Sequence, residues 1–351
     1  MGKLIAAAAA SPGHFDIEGR VEPGSGDHAL DIPAMAVNIG GIGQGYFLRE
    51  RIDWDPTAAA NHDGTLDAGL SLGDDVTVFA VQDPSGFAGL VASLNTTAPD
   101  GYSTTESRRI AGFHFGRVRP LDKKYDTSYV PDIKLVPNSV WDHDHRPVPS
   151  PYGMAELPSG IWISIYQLSP GSGTGLDMVP VSKYGVQPIK DDIYSRDDLP
   201  ELLDNAGMWS PTSKLFRKYA RGAPQGNDGD NDLAWSATTN SGPTQTGTVA
   251  KAVSIYNICD AAGNLWDWLN DEFDTDTANA WDASVVDGVG AEGSFDRGEV
   301  NHGAWRGASG GGHFGYGVRV GARAVYWNAD PWGSSGITAP RGASDPLKRG
   351  A

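Results

Sequence analysis

Gly263-Asn-Leu-Trp-Asp-Trp268 is the stretch that most constrains what this chain can become. Gly263-Asn264 reads as a turn. On an extended segment after it, Trp266 and Trp268 stand two apart and point to the same face. The stretch lies near the start of a longer run, Tyr256 to Pro340, with six of the eleven tryptophans, at 266, 268, 281, 305, 327 and 332. Anchors at that density imply a framework of large buried rings that displays the small and polar residues between them.

The remaining composition limits the class. With 46 Gly and 23 Pro in 351 residues, this is a turn-rich chain of short elements, long enough for two cores, and a helical bundle is disfavoured. No apolar run approaches the roughly 20 residues that a membrane span needs. A formal charge of −17 argues against nucleic acid, which asks for a basic face. Cys259 is the lone cysteine, so no internal disulfide is possible, and its apolar setting reads as a buried, inert thiol.

In order along the chain, residues 1–25 are rich in Ala, Gly and Pro and read as an attachment arm. Residues 26–120 carry short alternating runs at 28–39, 45–49, 75–81, 86–93 and 108–116, separated by Gly and Pro punctuation, the pattern of a small β-sandwich. Residues 121–138 read as a linker, and residues 139–351 as a second domain. That domain holds a strand over Gly160–Tyr166 and two short helices. One is Leu199–Asp204. The other runs through Ser210–Ala220, with Ser210 as cap, Pro211 at the first helical position, and Leu215, Tyr219 and Ala220 facing inward.

Two stretches have metal-ligand chemistry. In Asp142-His-Asp-His145, His143 and His145 would share a face if the segment were a strand, and three copies about an axis could ligate a transition metal. In Asn227-Asp-Gly-Asp-Asn-Asp232, Asp228, Asp230 and Asp232 alternate as at the start of a calcium loop, and Asp271, Glu272, Asp274 and Asp276 could add ligands. The loop lacks the glycine at its sixth position and has Thr239 in place of a bidentate Glu at its twelfth. A polar turn and a solvated acidic loop are the simpler readings of these two stretches.

Several landmarks, in order, resemble one superfamily. Ser210-Pro-Thr-Ser-Lys-Leu-Phe-Arg-Lys-Tyr-Ala-Arg-Gly222 is similar to the helix motif of formylglycine-generating-enzyme domains. Tyr256-Asn-Ile-Cys-Asp-Ala-Ala-Gly-Asn-Leu-Trp-Asp-Trp268, His302-Gly-Ala-Trp-Arg-Gly307 and Gly336-Ile-Thr-Ala-Pro-Arg-Gly342 stand where those domains carry their other signatures. The fold this implies over about 140–345 is C-type-lectin-like. The enzymes of the superfamily bind copper through a cysteine pair, which one cysteine cannot supply, and the sequence has no Glu-Pro-Asn or Gln-Pro-Asp sugar signature.

A narrower resemblance spans about 27–345. Ala98-Pro-Asp-Gly-Tyr102 through Arg108-Arg-Ile-Ala-Gly-Phe-His-Phe115, Ser139-Val-Trp-Asp142, Gly160-Ile-Trp-Ile-Ser-Ile-Tyr166 and Gly321-Ala-Arg-Ala-Val-Tyr-Trp327 are similar to segments of the major tropism determinant family, phage receptor-binding proteins. The resemblance implies a β-rich α+β chain: an N-terminal β-sandwich, then a C-type-lectin-like domain with about two short helices. It also implies a homotrimer on the virion exterior, contacts with other virion proteins, and a host cell-surface receptor, protein or glycan, as ligand, with no enzyme activity and no required cofactor. The family's N-terminal β-prism has no counterpart here, and Gly310–Gly317 is a glycine-rich insertion. Carried over by position, the display residues are Ala304, Arg306, Ala308, Tyr326, Asn328, Ala329, Gly333, Ser335, Ile337 and Thr338. They sit on two loops, with Phe314, Tyr316 and Trp332 as further aromatic contacts. Trp266, Trp268, Trp305, Arg323 and Trp327 are the scaffold. A structural virion protein of the same fold and a formylglycine-type enzyme are the alternatives.

Overall fold

The computed structural model describes residues 9–192, 194–274, 280–282 and 300–347. Residues 1–8 of the expected arm, Asp276, and residues 348–351 lie outside that set, as does the side chain of Trp281. Among the described residues the protein is β-rich with two α-helices, and no helix is long and apolar enough to cross a membrane. Two compact units divide it. One holds the residues through Gly116, Ile133–Pro147 and those from Pro346; the other holds Arg117–Asp132 and Val148–Asp345.

The first unit contains β1 (Phe15–Ile17), β2 (Glu22–Pro23), β3 (Leu30–Ile32), β4 (Met35–Asn38), β5 (Gly45–Leu48), β6 (Arg51–Trp54), β7 (Asp75–Gln82), β8 (Ala88–Ser93), β9 (Ser107–Val118), β10 (Asp132–Leu135) and β11 (Trp141–Asp142). They form sheets ordered β1-β4-β5, β2-β3-β6 and β10-β9-β7-β8, with β11 also on β9. Alternating apolar residues of these strands, among them Leu30, Ile32, Val37, Val76, Val78, Ile110 and Phe113, share one buried cluster.

Strands β3 to β5 and β7 to β9 fall where alternation and turn punctuation put them, while β1 and β2 lie in the stretch expected as an attachment arm and β6 outside every expected run; nor does the unit end at β9. Trp141 pairs with Gly112, and a Cβ on Gly112 would lie 2.6 Å from the Trp141 ring. The missing side chain therefore lets a buried indole lie across β9. This draws 133–147, expected as linker and start of the second domain, into the first unit.

The second unit contains β12 (Met154–Glu156), β13 (Trp162–Ser164), α1 (Leu199–Asp204), α2 (Ser213–Tyr219), β14 (Trp266–Asp274), β15 (Ala280–Asp282), β16 (Val300–His302), β17 (Trp305–Gly310), β18 (Val325–Ala329), β19 (Thr338–Ala339) and β20 (Ala343–Ser344). The sheets run β12-β13-β20, β18-β17-β14-β19 and β15-β16. Gly263 and Asn264 both take positive φ, 88° and 66°, so the turn expected there is a left-handed one. It delivers Trp266 and Trp268 to buried positions on β14.

Helix α2 begins later than Ser210. Thr212 is its cap, accepting the Leu215 N–H at 3.3 Å, while the Ser210 hydroxyl donates to the Trp268 carbonyl at 3.2 Å. The shifted start turns Phe216 and Tyr219 inward and leaves Leu215 half-buried.

The strands and α2 meet at a buried ion pair. Arg341 Nε donates to Asp267 Oδ2 at 2.6 Å, with side chains 0% and 1% exposed. Tyr219 donates its hydroxyl to the same oxygen at 2.8 Å, and Gln167 Nε2 donates to Asp267 Oδ1 at 3.1 Å. The other arginine nitrogens donate to the carbonyls of Ser164 and Cys259. Burial alone would lower the arginine pKa; Asp267 and the other anionic groups around it hold it above its ordinary value. Such a pair persists only when its hydrogen bonds are filled, and removing one partner strands a buried charge.

Asp267→Asn is therefore expected to cost about 3–5 kcal/mol of unfolding free energy, measured as a shift in urea midpoint. Asp267→Leu combined with Arg341→Met should cost much less than the two single changes summed. Gly310→Ala tests the tight packing behind β17: its Cβ would meet the Phe216 ring at 2.8 Å, and the loss by the same assay should be about 1–3 kcal/mol.

Candidate recognition face

Strands β17 and β18 pair antiparallel, Gly307 opposite Ala329 and Ser309 opposite Tyr326, with a register shift between. Arg306 leaves β17 and reaches its neighbour: Nε donates to Asn328 Oδ1 at 2.9 Å, and Nη1 pairs with Asp330 Oδ1 at 2.6 Å and donates to the Trp305 carbonyl at 2.9 Å. Its Nη2 has no protein partner among the described residues. The guanidinium is thus held in plane with donors to spare. Arg306 and Asn328 lie on adjacent strands that bond one another, not on separate loops.

The surroundings are fixed from behind. Asp274 accepts the amides of Gly303 and Ala304 at 2.9 and 2.7 Å. Arg196 donates its backbone N–H to the Pro331 carbonyl and Nε to the Leu269 carbonyl, both at 2.9 Å, and pairs with Glu272. Fully buried Asp191 accepts from Ser335 N and Oγ and from Thr338 N, each at 3.3 Å. Segment 331–338 is therefore clamped at both ends. Gly307 is the close approach that permits this: a Cβ there would meet Arg196 Cδ at 2.6 Å.

The expected display set divides on the structure. Tyr326, at 40% exposure, and Asn328 face solvent; Ala304, Arg306, Ala329, Gly333 and Ile337 are partly covered, and Ser335 is exposed. Ala308, at 0%, and Thr338, at 3%, are interior and leave the set. Ala308 lies mid-strand on β17, flanked by β14 and β18, and Thr338 pairs with Trp266 on β19.

The scaffold set also needs correction. Trp266 and Trp268 are buried and Trp305 is half-buried, with its ring 6.1 Å from Trp332. Trp327, at 39% exposure, and Arg323 are exposed. Trp327 belongs to the sheet's edge strand, where its ring meets Phe273 edge-on at 5.3 Å.

The glycine-rich insertion packs inward. His313 lies 4.2 Å from the Tyr316 ring and 6.4 Å from Trp266, and its Nδ1 accepts the Gly315 N–H at 3.2 Å. Burial pushes its pKa down to about 4. His313 and Phe216, neither singled out by the motifs, turn out to brace the face.

The metal candidates are engaged elsewhere. Residues 143–145 form a turn instead of a strand, so the two histidines do not share a strand face. Buried Asp142 organises that turn: it accepts Asp144 N and His145 N at 2.8 and 2.9 Å, and His145 Nδ1 lies 3.0 Å from the same oxygen. His143 stacks on Phe15 and its Nδ1 lies 3.0 Å from Asp144 Oδ1. Asp228 takes the Val318 N–H, Asp230 is tied to Asn227 and the Asp232 N–H, and Asp232 pairs with Lys251 at 2.6 Å. Asp271 binds Ser213, and Glu272 binds Arg196. Among the described residues no three His, Cys, Asp or Glu side chains group to hold a metal. Cys259 is buried, and burial raises its thiol pKa well above the ordinary value.

Residues 40–142 match the family described as the Mtd second domain, and the match ends at the last residue of β11. At the level of particular proteins, the chain is similar to the tail fiber receptor-binding protein of Bordetella phage BPP-1. The two are 24% identical over 294 residues, covering 79% of this chain and 72% of that protein. Among solved structures, the Major Tropism Determinant M1 variant aligns over 99% of this chain and 88% of its own, with 21% identity and TM-score 0.72. The I1 variant aligns over the same shares at 22% identity and TM-score 0.69. This chain shares their fold.

His313 generates a pH prediction. Its folded pKa lies below the ordinary 6.5, so between about 6.5 and 4 the unfolded chain binds the extra proton and stability falls as pH falls. The contribution is complete above about 6.5, and at pH 4.5 its loss amounts to about 2–3 kcal/mol. Urea midpoints at pH 7 and 4.5 should separate less in His313→Asn than in the unmodified protein.

Proposed function

We propose that this chain is a phage receptor-binding protein on the exterior of the virion. It grips a host-surface ligand, protein or glycan, through the face formed by Arg306, Tyr326, Asn328 and the clamped segment 331–337. In this reading the first unit is a β-sandwich and the second a C-type-lectin-like domain. Three chains associate, and contacts with other virion proteins present the face outward. The observation that carries the proposal is the held guanidinium. Arg306, half-buried on β17, is fixed by Asn328 and Asp330 of the neighbouring edge strand and the turn after it, with a braced sheet behind. Likeness to a tail fiber receptor-binding protein supports it. A surface that tolerates exchange of its outer side chains while its interior stays bonded suits recognition, and a trimer on a multivalent particle multiplies weak single contacts.

The test is attachment of purified protein to host cells. Arg306→Ala, Tyr326→Ala and Asn328→Ala should each weaken it about ten- to hundredfold while leaving the urea midpoint unchanged. If the three variants attach normally but no longer assemble into particles, the face contacts the virion and the receptor reading fails there.

A further inference from the structure

A second surface of the same unit stands out by charge. Two open grooves of about 590 and 640 Å³ share Tyr125, Ala322 and Arg323. The first is lined also by Arg217, Arg221 and Trp327, and the second by Arg319; among the described residues neither is lined by an Asp or Glu. In a chain of net charge −17, an unmixed basic groove focuses anions where the rest of the surface repels them. The side chains of Arg217, Arg221 and Arg323 are exposed and have no protein partner among the described residues. A cation at a helix C-terminus complements the helix dipole, which accounts for Arg217 in the last turn of α2. It does not account for Arg323, which arrives from the approach to β18, or for the aromatic residue that arrives from a third segment.

That residue is Tyr125. Its φ is +61°, a left-handed conformation that a bulky side chain adopts at a cost of about 1–2 kcal/mol. The strain is held in place. The Tyr125 N–H donates to the Gly222 carbonyl at 3.2 Å, and buried Arg119 donates to the Lys123 and Asp126 carbonyls on either side, at 2.9 and 3.0 Å. The exposed ring thereby reaches the groove that the exposed Trp327 ring also lines.

We propose that this groove, formed by Tyr125, Arg217, Arg221, Arg323 and Trp327, binds an anionic saccharide. Aromatic rings stack on the C–H faces of sugars, and guanidinium forks take carboxylate or phosphate oxygens two at a time. A peptide fits less well. Its backbone brings N–H donors that need acceptors, and among the described residues the first groove offers cationic donors, two rings and aliphatic side chains but no carboxylate or amide side chain. None of the groove's lining residues belongs to the set given to the Arg306 face, and the proposal does not depend on the reading given to that face.

Calorimetric titration of the full chain with tetragalacturonate tests the proposal, with the methyl-esterified tetramer and tetraglutamate as comparators. The free acid should bind at least about tenfold more tightly than either comparator, equivalent to about 1.4 kcal/mol. The double variant Arg217→Ala/Arg323→Ala should lose at least about tenfold in affinity, as should Trp327→Ala, at unchanged circular dichroism and unchanged mass by light scattering. Arg306→Ala should bind as the unmodified protein does. Inorganic phosphate and glucuronate, added as competitors, tell whether phosphate or carboxylate is the preferred anion; competition by neither overturns the proposal. Equal binding of the ester assigns the groove to neutral sugar, and equal binding of tetraglutamate assigns it to acidic peptide; either result overturns the proposal. So does unchanged binding in the arginine double variant, or a change in its mass, which would make the arginines an assembly contact. Loss of binding in Arg306→Ala would move the saccharide to the other face and overturn the separate site.

Discussion

The buried pair of Asp267 and Arg341 is the constraint on which the second unit depends. The aspartate sits between Trp266 and Trp268 on β14, and its two oxygens take Arg341, Tyr219 of α2 and Gln167. The arginine in turn donates to Ser164 of β13 and to Cys259 just before the Gly263-Asn264 turn. One charge pair thus joins two sheets, a helix and the approach to the tryptophan strand. Hydrophobic packing alone could hold these elements together with less specificity; a charge that can be neutralised in only one arrangement fixes which strand faces which.

The recognition face is built outward from that centre. Strand β14 carries β17, and β17 carries β18, the edge strand, on which no residue is fully buried. The glycines on β17 permit the close stacking behind it: Gly307 admits Arg196, and Gly310 admits Phe216. Precision at Arg306 and Asn328 therefore derives from residues with almost no side chain of their own.

Much of this was legible in the sequence, for identifiable reasons. Trp266 and Trp268 declared themselves because a two-residue spacing after a glycine turn has one simple reading. Strands β3 to β5 and β7 to β9 declared themselves through alternation. Arg341 did not, because a pairing across seventy-four residues leaves no periodic trace. Ala308 enters the display set only by position in the resemblance, and Gly307-Ala-Ser-Gly310 carries no contrast of polarity from which its burial could be read. Trp327 enters the scaffold by the same carry-over; an aromatic residue on an edge strand is free to face solvent instead. The cap of helix α2 lies two residues beyond Ser210, at Thr212, and Phe216 takes the inward place expected of Leu215. The basic groove was invisible because Tyr125, Arg217 and Arg323 come from three distant segments.

The separation between Asp267 and Arg341 also sets an order of events during synthesis. Arg341 is added seventy-four residues after Asp267 and leaves the ribosome that much later. Throughout that interval the tryptophan strand carries an acid that has no cation to bury with, and β14 waits for β19 as well. Within the first unit, the pairing of β7 with β9, Asp75 opposite His114, closes over a shorter stretch of chain, whereas the bond from Val21 N–H to Asp142 has to wait as long. Nascent chains of this protein would therefore pass through a stage in which the tryptophan strand presents an open apolar surface, the stage at which a neighbouring nascent chain or a chaperone has its opportunity.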